Sequence, residues 1–234
     1  LANAEFTVYS DESCSDESIV AVLITDDRGS ATLTEGLPVG DYWVKETKAP
    51  EGYWIDRTEA EKITLTKDHT SVAPYGSVWP DTEMTVKVEP WAKKTLNNLT
   101  SDADFEFVLA GETADTPMPA ASECTVTLKA GETKKFGAIE YAYSDLGGSS
   151  SKEFTYAITE VTPADPIPGV KYDTAPHTMT VTLTWDSAAN TLKAETSVSE
   201  SAPLQIINSY GEGWLKVTKV DAKDSENLSG AEFT

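Results

Sequence analysis

Alternation of apolar and polar residues at period two is the feature that most narrows the fold of this chain. It runs through ten short segments: residues 5–9, 20–25, 41–46, 62–66, 85–88, 104–110, 125–129, 154–160, 178–185 and 192–198. Helical spacing is nearly absent. In a strand, successive side chains point to opposite faces, and Val, Thr, Ile, Tyr, Phe and Trp fit a half-buried pleated surface. Turn clusters separate the segments, among them Asp26-Asp27-Arg28-Gly29, Pro38-Val39-Gly40, Pro50-Glu51-Gly52, Gly147-Gly148-Ser149 and Pro166-Ile167-Pro168-Gly169. Many short strands with frequent turns predict an all-β chain of tandem Ig-like β-sandwiches.

At 234 residues the chain is long enough for two such domains. Its 18 Lys+Arg stand against 39 Asp+Glu, a formal charge of −21. Phosphate backbones and anionic membrane surfaces repel such a chain, so nucleic-acid and lipid binding are not expected. No apolar stretch approaches the ~18 residues of a membrane span, and residues 1–10 lack a signal pattern. Two histidines far apart, His69 and His177, supply neither a zinc site nor His-based catalysis, so no metal or cofactor is expected. Cys14 and Cys124 are compatible with an interdomain disulfide or with two free thiols. The acidic run over residues 11–18 lacks the spacing of a calcium loop and reads as a solvated loop. The six tryptophans read as core or domain-junction residues.

One internal echo bears on organisation. Leu1-Ala2-Asn3-Ala4-Glu5-Phe6-Thr7 recurs as Leu228-Ser229-Gly230-Ala231-Glu232-Phe233-Thr234, identical at five of seven positions. An alternating segment, residues 214–221, precedes the second copy. The expected division is therefore a sandwich over 1–82 without its first strand, a second sandwich over 83–210, and a spare first strand within 211–234. Either the array is cut within a domain, or residues 212–234 of one copy complete the first domain of the next by strand addition.

Gly36-Leu37-Pro38-Val39-Gly40-Asp41-Tyr42 followed by Val44-Lys45-Glu46-Thr47-Lys48-Ala49-Pro50-Glu51-Gly52-Tyr53 resembles the B-type repeat domains of the Cna protein family, found in Gram-positive surface proteins and pilins. The second half resembles the streptococcal-type pilin shaft domain that carries an isopeptide linkage. The resemblance rests on Lys94-Thr95-Leu96, Asp104-Phe105-Glu106-Phe107, Phe154-Thr155-Tyr156-Ala157-Ile158-Thr159-Glu160, Pro168-Gly169-Val170-Lys171-Tyr172-Asp173-Thr174 and Pro203-Leu204-Gln205-Ile206-Ile207-Asn208-Ser209. Both resemblances imply a mechanical role, in which sandwich domains form stalks or shafts and staple themselves with a Lys–Asn or Lys–Asp amide.

Such a bond needs an unprotonated amine, because an ammonium has no lone pair with which to attack. Burial lowers a lysine pKa and raises that of a carboxylic acid, which can then polarise the amide and shuttle protons. The resemblance assigns the acid role to Glu160 and the electrophile role to Asn208. For the amine, Lys87, Lys93 and Lys94 all lie near the opening strand. Parity places Val86, Val88, Pro90, Ala92 and Lys94 on one face, which together with the Lys-Thr-Leu context selects Lys94, provided Pro90 introduces no bulge.

In the first domain Glu46 holds the family's acid position. The matching lysine is Lys219, near the end of the chain, paired within the domain or between copies. With no asparagine between Asn3 and Asn97, the acceptor is Asp81, which reads equally as a linker-turn residue. Val78-Trp79-Pro80-Asp81 carries aspartate where the pilin sortase motif has lysine, so polymerisation through it is not inferred.

The function expected is a structural stalk or pilus-shaft segment on the wall-anchored, extracellular surface of a Gram-positive bacterium, stiffened by self-formed bonds. Its expected partners are neighbouring domains or copies of itself. The alternative is an adhesin segment that binds a host protein or glycan through sandwich loops. An enzyme acting on external substrates is not expected.

Overall fold

The computed structural model describes residues 1–70, 75–211, 217–224 and 226. Its first unit contains β1 (Glu5–Tyr9), β2 (Ile19–Ile24), β3 (Gly40–Lys48), β4 (Tyr53–Trp54), β5 (Glu61–Leu65) and β6 (Thr82–Glu83). Four of these form an antiparallel sheet in the order β2-β1-β3-β5, and β4 pairs with β6. Alternation fixes which side chains turn inward. Val8, Tyr42 and Ile63 form a small core, and Glu46 is buried on the same strand as Tyr42, four residues on.

The second unit holds β7 (Thr85–Val88), β8 (Trp91–Asn97), β9 (Phe105–Gly111), β10 (Thr125–Leu128), β11 (Thr133–Lys135) and β12 (Ile139–Ala142). It continues with β13 (Ser151–Val161), β14 (Val170–Lys171), β15 (His177–Asp186), β16 (Thr191–Thr196) and β17 (Leu204–Tyr210). One sheet has the order β10-β9-β13-β15-β16, another the order β11-β8-β17-β14, and β12 pairs with β7. A single core fills the space between them, built from Phe105, Phe107 and Leu109 of β9, Phe154, Tyr156 and Ile158 of β13, Met179, Val181 and Leu183 of β15, and Ile206 of β17. All ten segments read as strands from their alternation lie in strands, with ends shifted by a residue or two in several. The only helical pieces among the described residues are three short 3-10 turns, and no described helix is long and apolar enough to cross a membrane.

β8 and β17 are adjacent and parallel, with Lys94 opposite Ile206 and Leu96 opposite Asn208. The chain's first and last long strands in this unit are thus side by side in the middle of one sheet. Pro90 does not spoil the parity. The chain leaves β12 at Val88 and joins β11 at Trp91, and the two intervening residues preserve the alternation, so Val88, Pro90, Ala92 and Lys94 are all buried.

The two units meet across a built joint. β6 pairs with the first unit and β7 with the second, leaving only Met84 between them, and Met84 is buried. Its N–H donates to the Gly52 carbonyl at 2.8 Å, and its own carbonyl accepts from the Tyr143 N–H at 3.0 Å. The Trp185 indole N–H donates to the Glu51 carboxylate, and the Tyr143 and Trp185 rings meet edge to face with centroids 5.0 Å apart. Gly52 has φ +83°, and a Cβ there would overlap the Tyr143 ring. Gly52→Ala is therefore expected to cost about 1–3 kcal/mol through backbone strain alone, with the steric overlap in addition. Thermal denaturation should show Tyr143→Ala restoring part of the loss when the two changes are combined.

Two readings need correction. Trp185 is a junction residue, but Trp54 is 51% exposed and belongs to no core. Of residues 214–221, residues 214–216 lie outside the described part, and 217–221 form no continuous strand, only a single bridge at Val220. The echo copy over residues 228–234 also lies outside the described residues. Cys14 and Cys124 are both free thiols.

Candidate functional site

Strand parity brings three polar side chains to inward positions that the sandwich otherwise gives to apolar residues. Lys94 follows Ala92 on β8, Glu160 follows Ile158 on β13, and Asn208 follows Ile206 on β17, each two residues further along the buried face. Lys94 and Asn208 have no exposed surface and Glu160 retains 2%. Glu160 lies between the other two. One carboxylate oxygen, Oε2, is 2.7 Å from Lys94 Nζ, and the other, Oε1, accepts from Asn208 Nδ2 at 2.7 Å. Asn208 Oδ1 accepts from the backbone N–H of Asp173 at 2.8 Å. The rings of Phe105 and Phe107 face the lysine nitrogen, with centroids at 4.7 and 5.7 Å.

Burial pushes the Lys94 pKa below that of an ordinary lysine, and the adjacent Glu160 carboxylate only partly opposes this. A buried pair of this kind can pass its proton from ammonium to carboxylate and become a neutral amine beside a neutral acid. The amine then has the lone pair that nucleophilic attack requires. Lys87, by contrast, is exposed and bridges to Glu140, while Lys93 lies on the opposite face of β8.

The first unit brings two of its three expected residues together. Glu46 is 2% exposed, and among the described residues neither of its carboxylate oxygens has a hydrogen-bond donor; Asp81 Oδ1 is likewise buried without one. Two carboxylates can satisfy each other only by sharing a proton. Burial, the neighbouring Asp81 and then Asp56 push the Glu46 pKa up to about 7. The groups acting on Glu46 are acids, and Lys219 is exposed near the end of the described chain. Among the described residues, no group of His, Cys, Asp and Glu is arranged to hold a metal ion.

The Asp173 N–H escaped sequence reasoning, since a backbone donor leaves no residue-type signature. Its position follows from β14, whose Val170 and Lys171 pair with Tyr210 and Ser209 of β17.

The second unit is thus a β-sandwich in which a buried lysine of β8 and a buried asparagine of β17 are bridged by a buried acid of β13. The chain belongs to the family of the Spy0128-like isopeptide containing domain (FctA), whose model matches residues 90–211, just over half of its length. Residues 1–77 match the SpaA prealbumin-like fold domain. No curated protein matches. Solved structures similar to the chain include a streptococcal ancillary pilin, at 16% identity and TM-score 0.30 over 90% of this chain and 58% of that one. A mutant of the major pilin from Streptococcus pyogenes matches at 21% identity and TM-score 0.30, covering 53% of this chain and 50% of that one. A mutant of the shaft pilin SpaA from Lactobacillus rhamnosus GG matches at 14% identity and TM-score 0.29, covering 92% and 95%. The chain thus spans between half and three-fifths of the two streptococcal pilins.

Proposed function

We propose that this chain is a structural segment of a pilus or stalk on a Gram-positive cell surface, and that an amide bond between Lys94 and Asn208 ties its second sandwich together. The observation that supports the bond is the bridging of both side chains by Glu160 in a core closed to water. The proton on Lys94 moves to Glu160, freeing the Nζ lone pair, which attacks Asn208 Cγ. The carbonyl π pair moves onto Oδ1. Glu160 protonates Nδ2, which leaves as ammonia when the carbonyl reforms, and takes back the extra proton from Nζ. The sum is one amine and one primary amide giving one secondary amide and one ammonia, with the acid regenerated.

The reaction happens once per molecule and acts on no external substrate. The partners of such a segment are neighbouring domains and further copies of the same chain, on the outside of a cell wall. In the first domain, Asp81 is proposed as the acceptor for an amine that Lys219 of this or another copy supplies, releasing water rather than ammonia. The buried, donor-less Glu46–Asp81 pair supports that assignment.

Intact-mass spectrometry of the purified chain tests both linkages. The expected mass is one ammonia below that of the plain sequence, and Glu160→Ala restores the full value. A wild-type mass equal to the sequence overturns the Lys94–Asn208 bond. A further deficit of one water, or a covalent dimer, reports on Asp81, and its absence removes that second linkage.

A further inference from the structure

We infer that the backbone N–H of Asp173 is the oxyanion donor for acyl transfer at Asn208, a role that rests on the Lys94–Asn208 reading. The two ends of the Asn208 carboxamide are held by different groups. Nδ2, the atom that must leave, faces the acid Glu160, and Oδ1, the atom on which negative charge must develop, faces the Asp173 N–H. This is the orientation that acyl transfer requires, with an acid at the leaving group and a donor at the oxygen. As the Nζ–Cγ bond forms, the π pair of the carbonyl becomes a full charge on Oδ1. A hydrogen bond to an anionic oxygen is roughly twice as strong as one to a neutral carbonyl, so this donor stabilises the transition state more than the ground state.

The donor is also fixed before the reaction begins, which is what makes such a group effective. On one side, β14 binds the same strand that carries Asn208. On the other, the Asp173 carboxylate Oδ2 lies 2.9 Å from His177 Nε2 at the start of β15. In between, Tyr172 packs against Phe105, centroids 6.3 Å apart, and its hydroxyl accepts from the Ile167 N–H at 3.0 Å. The loop is thereby tied to both sheets of the sandwich, and its N–H needs no rearrangement to meet the forming charge. Glu160 cannot serve Oδ1 in this arrangement, because its two oxygens are committed to Nζ and Nδ2.

Timed cell-free synthesis of the full chain, quenched in acid and read by intact mass, gives the rate of ammonia loss. Replacing Asp173 by its α-hydroxy acid counterpart during synthesis turns the amide into an ester, removing the N–H while keeping the side chain. Loss of one such donor should slow bond formation by about 100- to 1,000-fold. Asp173→Pro removes the same N–H by ordinary mutagenesis and should slow the reaction to a similar extent. A group that merely held Asn208 in place would act through its order. In a Lys94→Met background, where no bond can form, the ester should therefore leave the Asn208 side-chain amide resonances as sharp as the amide does. An ester that reacts at the wild-type rate overturns the oxyanion role. So does an ester that broadens the Asn208 resonances. If Asp173→Pro fails to fold, the ester alone decides. Wild-type chain that never loses ammonia overturns the linkage itself, whereas wild-type loss at a rate the ester matches overturns only the part given to Asp173.

Discussion

Glu160→Ala is expected to lower the melting temperature of the second domain by on the order of 25 °C or more, because two losses coincide. Without the acid no bond forms, and the loop-closure advantage of a link across about 100 residues, ~4–5 kcal/mol by analogy with a disulfide, disappears. The same change leaves Lys94 in the core facing an alanine, and breaking a buried pair by removing one partner costs about 3–5 kcal/mol. The sum approaches the whole stability of an ordinary domain, roughly 5–15 kcal/mol. Glu160→Gln separates the contributions, since its amide oxygen still gives Lys94 a partner while it cannot exchange the proton. Differential scanning calorimetry should rank wild type above Glu160→Gln, and Glu160→Gln above Glu160→Ala. Equal melting of wild type and Glu160→Ala would contradict both the bond and the burial of its lysine.

The first domain should weaken as pH rises from 5 to 8, opposite to the behaviour of most carboxylates. Glu46 has an ordinary carboxylate pKa near 4.5 when the chain is unfolded and about 7 when folded. Between these values the folded state binds more protons than the unfolded state, so raising the pH favours unfolding. The stability is fully present below about 4.5, is lost progressively as the pH rises, and reaches its floor once the pH passes about 7. The difference corresponds to on the order of 3 kcal/mol. Glu46→Gln, which cannot ionise, should flatten the profile and melt higher than wild type at pH 8. Thermal melts across this range provide the check, and parallel profiles for the two chains would show that Glu46 ionises freely in the fold.

Ten of the seventeen strands among the described residues were legible because burial on one face imposes alternation. The same rule placed Lys94 at an inward position and survived Pro90 because two residues separate β7 from β8, whereas Glu160 and Asn208 came from the family resemblance. What stayed hidden was of two kinds. Thr133-Lys134-Lys135 of β11 is wholly polar, and β4, β6 and β14 are two residues each, so neither pattern nor length marks them. The other kind involves backbone groups and contacts between distant segments. The Asp173 N–H on Asn208 and the Gly52 turn against Tyr143 depend on how sheets stack, which local sequence does not encode. The B-type signature around Glu46 and Glu51 revealed a domain type, but not that Glu51 reaches the indole of Trp185 in the other unit.

The parallel pairing of β8 and β17 decides where tension would travel in a stretched fibre. Force enters at Trp91, the start of one strand, and leaves at Tyr210, the end of its neighbour, so the ladder between them is loaded in shear rather than unzipped rung by rung. The proposed Lys94–Asn208 bond would carry the pull from one strand to the other after a few residues, leaving everything from Thr95 to Ile207 slack beside the line of stress. Such a domain could be tugged repeatedly without extending, and its long internal stretch could vary in sequence at little mechanical consequence.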